Sequence, residues 1–384
     1  MHILFILDYF PPYIWWIETL FYDVTDFCIK RWYIVTVITS RHDPKLFKIE
    51  KRKWITIYRI GSSRFTIIRQ ALRFALTHQT IIQSIDHIHT STFTSALPAR
   101  IISKIIKKPC TITVHEIYDT LRYHLKGKSA KLYIAFEHLL LRLKWDGIVT
   151  VSHYTQDMVQ SIHHIPDKEI LTIYNQIDTH FWNKEQRNII YIKDSKRKYN
   201  LTNWMIWLFV GRLGNEKGLL YLIASLIEVI QIYKDFKLII IAPKILEHYS
   251  TTIQKQIIII QNQIKDNYLT DNIVWIDQVS SDRELRDWMS VADIGIVPSM
   301  SEWFCYTAVQ MQAMWLSLIA SKVWALPEVL DTGHTFVPYG KVKLLSDAII
   351  NLLDRKYEVK TSSELCHDID YQAYCDLFER IKER

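Results

Sequence analysis

The sequence predicts an α/β chain of two doubly wound units, each a mostly parallel sheet covered by helices. Three observations predict it. Short apolar, β-branched runs alternate with helical stretches along the whole length. The alternation restarts near residue 200, after a polar stretch. With 384 residues, 49% of them hydrophobic, the chain can bury more than one core.

In order, His2–Leu7, Ile34–Thr39, Thr111–Val114 and Ile148–Val151 read as buried parallel strands of the first unit. Helices are expected between them at Glu18–Lys30 and Ala96–Ile106. Residues 179–203 read as a polar bridge. Beyond it come strands at Leu208–Val210, Lys237–Ile241, Asn272–Ile276, Ile294–Val297 and Leu318–Ala320. Helices Leu219–Ile232, Asp282–Val291 and Lys343–Leu353 alternate with them. The pattern gives two Rossmann-like domains, 1–180 and 181–365, facing across a cleft. In such sheets ligands lie beyond the carboxyl ends of the strands, so the loops that follow strands are where chemistry is sought.

Charge is uneven. The net +7 comes from residues 1–180, with 23 basic against 15 acidic side chains; residues 181–384 carry 24 against 25. A basic first half suits an anionic partner, such as a phospholipid surface or a phosphate-bearing acceptor, and a solvated basic face explains it equally well. Basic and apolar residues mix at helical spacing over Ser63–His78 and Tyr118–Lys144, where Arg69, Arg73, Lys126, Lys128, Lys131, Arg142 and Lys144 could rest on an anionic membrane; core-facing helices with basic outer faces explain the pattern about as well. The five cysteines show no metal spacing and fit a reducing compartment. Met1–Leu7 is only a strand long with no basic leader, so no signal peptide is expected, and no apolar run is long enough to span a bilayer. The expected location is cytoplasmic, at or near the inner face of a membrane.

Several motifs fall after strands. Asp8-Tyr9-Phe10-Pro11-Pro12-Tyr13-Ile14-Trp15-Trp16-Ile17-Glu18 follows the first strand, and Thr113-Val114-His115-Glu116 closes a later one. His89-Thr90, Val151-Ser152 and Tyr174-Asn175-Gln176-Ile177-Asp178 complete the first half. In the second half stand Gly211-Arg212-Leu213 through Glu216-Lys217-Gly218, Pro298-Ser299-Met300-Ser301-Glu302-Trp303-Phe304-Cys305-Tyr306-Thr307-Ala308-Val309-Gln310, and Ala325-Leu326-Pro327-Glu328. Arg212 and Lys217 lie between a strand and a helix, where two cations and helix-terminal N–H groups can converge on a diphosphate. Glu302 belongs to a loop, and Gln310 is expected roughly two turns into the next helix at ~3.6 residues per turn.

In order and spacing these segments resemble the family-4 retaining glycosyltransferases, glycosyltransferase group 1, of GT-B fold, over almost the whole chain. The resemblance implies transfer of a sugar from a nucleotide-diphosphate donor to a hydroxyl acceptor, lipid-linked or saccharide, as in cell-envelope glycan biosynthesis. It implies retention of configuration without a metal or other cofactor, and no nucleic-acid partner. The leaving phosphate itself takes the acceptor proton, so no protein nucleophile is nominated. By resemblance the first domain binds the acceptor and the second the donor, and a last helix near Tyr371–Lys382, within about 366–384, crosses back to the first. Arg212 and Lys217 take the leaving diphosphate, and Glu302 the donor-sugar hydroxyls. His115 lies near the sugar and β-phosphate, and Gln310 occupies the position of a ribose-binding acid. Trp15, Trp16, Phe304, Cys305, Tyr306 and Thr307 line the substrate. Gln310 keeps a hydroxyl acceptor but loses a charge-assisted bond, so donor affinity is the property it bears on. The different-class alternative is a catalytically silent nucleotide-sugar binder or scaffold. A dehydrogenase is disfavoured, because the first loop lacks G-x-G-x-x-G.

Tryptophan is abundant, at 13, and glycine scarce, at 9, where about 7% glycine is usual. Trp15, Trp16, Trp303, Trp315 and Trp324 stand where the family pattern has glycine, and Trp32 and Trp54 fall in turn contexts that favour it. Isoleucine, lysine and tyrosine are plentiful, as in the product of an AT-rich gene. The expectation is a gene whose UGA codons encode glycine, read here as tryptophan. Trp275 and Trp288 suit an aromatic residue; Trp145, Trp182, Trp204 and Trp207 are undecided. If every indole is real, the donor loops carry them and the silent alternative gains.

Overall fold

The computed structural model describes all residues except 14–15, 53, 118–129, 166–168, 244–250, 278, 355–370 and 384. The chain divides into two units, Met1–Asn175 with Ile369–Arg384, and Gln176–Asp368. The division falls a few residues before the 180/181 boundary suggested by the polar bridge.

The first unit holds strands β1 (His2–Ile6), β2 (Ile34–Thr39), β3 (Ile49–Arg52), β4 (Ile55–Arg59), β5 (His87–Ser91), β6 (Cys110–Val114), β7 (Gly147–Thr150) and β8 (Ile170–Thr172). Their order is β3-β4-β2-β1-β5-β6-β7-β8, parallel throughout except for the β3–β4 hairpin. β1 is buried along almost its full length because helices cover both faces, which is why it reads as an unbroken apolar run. The helix Gln372–Lys382 belongs to this unit. Its Phe378 and Tyr374 join the core of Phe5, Phe21 and Val149, and Tyr374 Oη lies 3.1 Å from Thr113 Oγ1.

The second unit holds β9 (Met205–Val210), β10 (Phe236–Ile241), β11 (Ile273–Ile276), β12 (Ile294–Val297), β13 (Ser317–Ser321) and β14 (Thr335–Val337), in the all-parallel order β11-β10-β9-β12-β13-β14. Trp207 of β9 stacks on Phe236 of β10 with ring centroids 4.1 Å apart. The helix Leu219–Ile232 is apolar on nearly every face because it packs on the sheet and against Val342–Asp354, where Ser346 Oγ donates to Ser225 O. The polar bridge is a correction to the sequence reading. It contains the helix Ile189–Lys198, whose first N–H groups are accepted by the Asn188 side chain, and it packs on the helix Asp282–Val291.

In each sheet the strand order reverses at its middle. The chain first builds outward from β1 through β2 to β4, then returns to lay β5 on the other side of β1. Likewise β10 and β11 lie on one side of β9, and β12 on the other. Loops that leave β1, β5, β9 and β12 therefore diverge from the switch points, where a doubly wound sheet leaves room for a ligand.

Candidate functional site

In the second unit, Arg212 and Lys217 follow β9 while Glu302 follows β12, adjacent strands at the switch point. The β9 loop closes in the 3-10 turn Asn215–Lys217 and passes through Gly218 into the helix Leu219–Ile232. Gly218 has φ +72, and a Cβ there would stand 1.9 Å from Pro298 O. Only glycine lets this turn seat on the end of β12. Met300 N donates to Glu216 O at 2.8 Å, tying the two loops through their backbones.

This seating brings together side chains 85 residues apart. Lys217 Nζ donates to Glu302 Oε1 at 2.7 Å, and Ser299 Oγ donates to the same oxygen at 2.7 Å. Burial pushes the Lys217 ammonium down, but Glu302, Cys305 and the hydrogen bond to Glu302 more than offset it, so its pKa lies above the ordinary lysine value. It is a fixed cation. Burial, then Glu302, raises the Cys305 thiol, which stays protonated. Cys305 adopts φ 77 as the residue before the helix Tyr306–Ala313, and neither that helix nor Leu219–Ile232 has a side-chain N-cap bond. A buried-edge cation beside two such helix starts is a place for an anion with several oxygens.

The remaining expected residues distribute as follows. Arg212 is exposed in the β9 loop. Phe304 is buried against Tyr306, ring centroids 5.2 Å apart, and Thr307 is half-buried in the first turn of the helix. Gln310 is the fifth residue of Tyr306–Ala313, so it lies little more than one turn in, not two; the loop runs longer than expected because the left-handed Cys305 delays the helix start. Gln310 is half-buried. Trp15 lies outside the described residues. Trp16 opens the helix Trp16–Lys30, and its side chain lies outside the description.

His115 belongs to the first unit, directly after β6. It is fully buried, its ring edge-on to Phe21 at 5.5 Å between centroids, and burial holds its pKa down to about 3. The imidazole is neutral.

Sequence reasoning missed several groups. Ser299 shares Glu302 Oε1 with Lys217. Gln312, two residues beyond Gln310, is fully buried; its Oε1 accepts from Asp331 N at 2.8 Å and pairs with His334 Nε2 at 2.9 Å. Leu318 N donates to His334 Nδ1, which fixes the proton on Nε2, and burial lowers this histidine to about 4. In the first unit, Asp8 accepts from Thr94 Oγ1 at 2.6 Å and Ser95 N at 2.7 Å, linking the loops after β1 and β5. Glu18 is buried, its Oε2 without a hydrogen-bond partner among the described residues. Burial, reinforced by Asp8, raises its pKa to about 7.

Residues 205–355 match the family model for glycosyl transferases group 1, and residues 17–181 match that for glycosyltransferase family 4. The chain belongs to this glycosyltransferase family. Among curated relatives of this glycosyltransferase-family chain, α-maltose-1-phosphate synthase of Mycolicibacterium smegmatis is 22% identical over 256 residues, 65% of this chain and 62% of that protein. An uncharacterized glycosyltransferase of Methanocaldococcus jannaschii is 25% identical over 266 residues, 65% and 60% of the two chains. The chain thus spans about three fifths of the length of these relatives. Among solved structures, sucrose-phosphate synthase from Thermosynechococcus elongatus has TM-score 0.76 at 17% identity, over 100% of this chain and 96% of that one. The Anabaena protein HepE, in complex with UDP-glucose, has TM-score 0.74 at 15% identity, over 100% and 98%. These likenesses show the fold, which is GT-B.

Proposed function

We propose that the chain moves a sugar from a nucleotide-diphosphate donor to a hydroxyl acceptor with retention of configuration, the second unit holding the donor and the first the acceptor. One observation carries this reading: Lys217 and Glu302, delivered by the two loops at the β9/β12 switch point, meet at 2.7 Å beside two helix starts without side-chain caps. The cation and helix-terminal N–H groups suit the diphosphate, whose charge grows as the bond to the sugar breaks. Glu302, whose second oxygen is outside the Lys217 and Ser299 bonds, suits sugar hydroxyls. In the reaction the bond from the anomeric carbon to phosphate breaks, the acceptor oxygen bonds to that carbon on the same face, and the acceptor proton passes to the phosphate. Arg212 supplies a second cation, and in the first unit neutral His115 can donate one hydrogen bond to a substrate hydroxyl. The UDP and UDP-glucose bound by the Anabaena protein favour a donor of this class.

For the acceptor, the helix Ala130–Leu141 exposes Leu132 and Leu139 beside Lys131 and Arg142, which suits a lipid-linked hydroxyl at an anionic surface on the cytoplasmic side. The alternative of a silent nucleotide-sugar binder is favoured by the contact of Trp303 with Trp324, ring centroids 4.3 Å apart, next to Glu302. Calorimetric titration and turnover with a UDP-, GDP- and ADP-sugar panel separate the readings. Binding with turnover and an unchanged anomeric configuration in the product supports transfer; binding without turnover supports the silent binder, and binding of no sugar nucleotide removes both. Flotation with anionic and neutral liposomes at low salt tests the surface, which is dropped if binding does not depend on lipid charge.

A further inference from the structure

The backbone of the chain asks for glycine at three places where tryptophan stands. Among the described residues, eight non-glycine residues have positive φ, and Trp32 (65°), Trp315 (63°) and Trp324 (46°) are three of them, although tryptophan makes up only 13 of 384 residues. A bulky side chain rarely enters this region.

Two of the three occupy the same kind of helix end. After Trp16–Lys30, Trp32 N donates to Ile29 O and Tyr33 N to Cys28 O, at 3.0 and 3.1 Å. After Tyr306–Ala313, Trp315 N donates to Gln312 O and Leu316 N to Met311 O, at 2.9 and 3.0 Å. Both pairs form a Schellman closure, whose left-handed residue is usually glycine because a Cβ is penalised there. Nor does either indole reach the core to repay the strain: Trp32 is 76% exposed, edge-on to Trp54 at 6.3 Å between ring centroids, and Trp315 is 53% exposed. Trp324 is the first central residue of the turn closed by Leu326 N to Val323 O, a glycine-type slot when φ is positive. By contrast Trp207 and Trp288 are buried and lack positive φ, as an aromatic core residue should.

We infer that positions 32, 315 and 324 are glycine in the protein its source organism makes, through a UGA codon that specifies glycine. At the site the consequence is direct. Trp324 packs on Trp303 beside Glu302, and Ala325 N donates to Glu302 O, so glycine at 324 removes an indole from the backbone next to that residue. Bare backbone allows a ligand to approach closely.

The inference stands apart from the proposed reaction, because neither test measures transfer. Peptides of the protein isolated from its source organism are weighed by mass spectrometry, with Trp207 and Trp288 as internal controls. Glycine masses at 32, 315 and 324, with indole masses at 207 and 288, are expected; indole masses at 32, 315 and 324 overturn the inference. In parallel, urea unfolding compares the full chain as written with Trp32→Gly, Trp315→Gly and Trp324→Gly. Each substitution is expected to raise the folding equilibrium constant roughly tenfold, whereas Trp207→Gly lowers it. A fall at all three left-handed positions overturns the backbone argument.

Discussion

The loops after β9 and β12 in the second unit and those after β1 and β5 in the first occupy the same topological place, yet their electrostatics are opposite. In the second unit a carboxylate is paired: Lys217 and Ser299 both donate to Glu302. In the first, Asp8 and Glu18 are pushed by burial toward the protonated acid, and Arg64, lying over the Tyr9 ring, offsets only part of the shift. The fixed Lys217 ammonium suits a phosphate, whereas ionising either buried acid would set a negative charge against one. Desolvated acids whose pKa burial raises instead suit hydroxyl groups, which donate and accept without bringing charge. On the proposed reading, one fold used twice would take two kinds of ligand, according to which partners its switch-point loops deliver.

The comparison breaks most completely if the second unit's loops are unseated. Gly218→Ala adds a Cβ 1.9 Å from Pro298 O at φ +72, with backbone on the opposing side. We expect a loss of about 4 kcal/mol in urea unfolding, with sugar-nucleotide binding lost as well. Gly340→Ala is the control: it shares a positive φ, 78, but its Cβ would meet nothing within 4 Å, so about 1 kcal/mol is expected. Equal losses at the two sites would mean that backbone conformation, not the close approach to β12, sets the requirement.

Next in size is the ion pair itself. Lys217→Ala should lower kcat by on the order of 10²–10³-fold if the ammonium offsets charge on the leaving diphosphate. Glu302→Gln should do comparable damage, since the amide leaves Lys217 without its anion. If each variant raises KM alone and leaves kcat intact, the pair serves ground-state binding and the proposed division of labour fails.

A smaller effect sharpens the first unit. The folded-state pKa of Glu18 is about 7 against an ordinary 4.5, so between those values the folded chain holds a proton that the unfolded chain releases. Stability contributed by the neutral acid is complete below pH 4.5, falls as pH rises through 7, and then levels off. Glu18→Gln should therefore be more stable than the parent above pH 7, by on the order of 2–3 kcal/mol, and equal to it near pH 4.5. Buried His87 and His115, both held down to about 3, act in the reverse sense below pH 6.5, so the two proteins must be compared at each pH. A constant difference across the range would show that Glu18 is not titrating.

Why some of this was legible and some not follows from particular residues. β1, β2, β9 and β10 announce themselves because both faces are buried and every position can be apolar. β5 is equally buried but reads His-Ile-His-Thr-Ser, and escapes an apolar-run criterion because its buried positions include His87 and His89, which hydrogen-bond to the hydroxyls of Thr111 and Thr113 on the neighbouring strand. The β3–β4 hairpin escapes for another reason: β3 is the charged sheet edge Ile49–Arg52, with Glu50 bonded to Arg52 and Arg59. Motifs single out Lys217 and Glu302 as candidates, but not their meeting. Lys217 and Glu302 touch because β12 crosses back to pair with β9, and strand order is a long-range property that no local pattern carries. The Gln312–His334 bond was hidden for the same reason.

The finest test concerns one helix position. Gln310 sits just over one turn into Tyr306–Ala313, half-buried, on the unit that holds the fixed cation. A neutral amide there can accept one bond from a ribose hydroxyl, but a carboxylate accepts it with charge assistance, roughly doubling its strength. Against this, a new carboxylate lies in the same unit as the proposed diphosphate place and repels it weakly through solvent. The hydroxyl bond is short-ranged and the repulsion screened, so Gln310→Glu should tighten sugar-nucleotide binding by about threefold to tenfold in calorimetry at moderate salt. The gain should persist for a nucleoside diphosphate lacking the sugar and vanish for a 2′,3′-dideoxy analogue. A gain that survives removal of both ribose hydroxyls would place the contact elsewhere on the donor, and no gain at all would return Gln310 to the role of an ordinary helix polar residue.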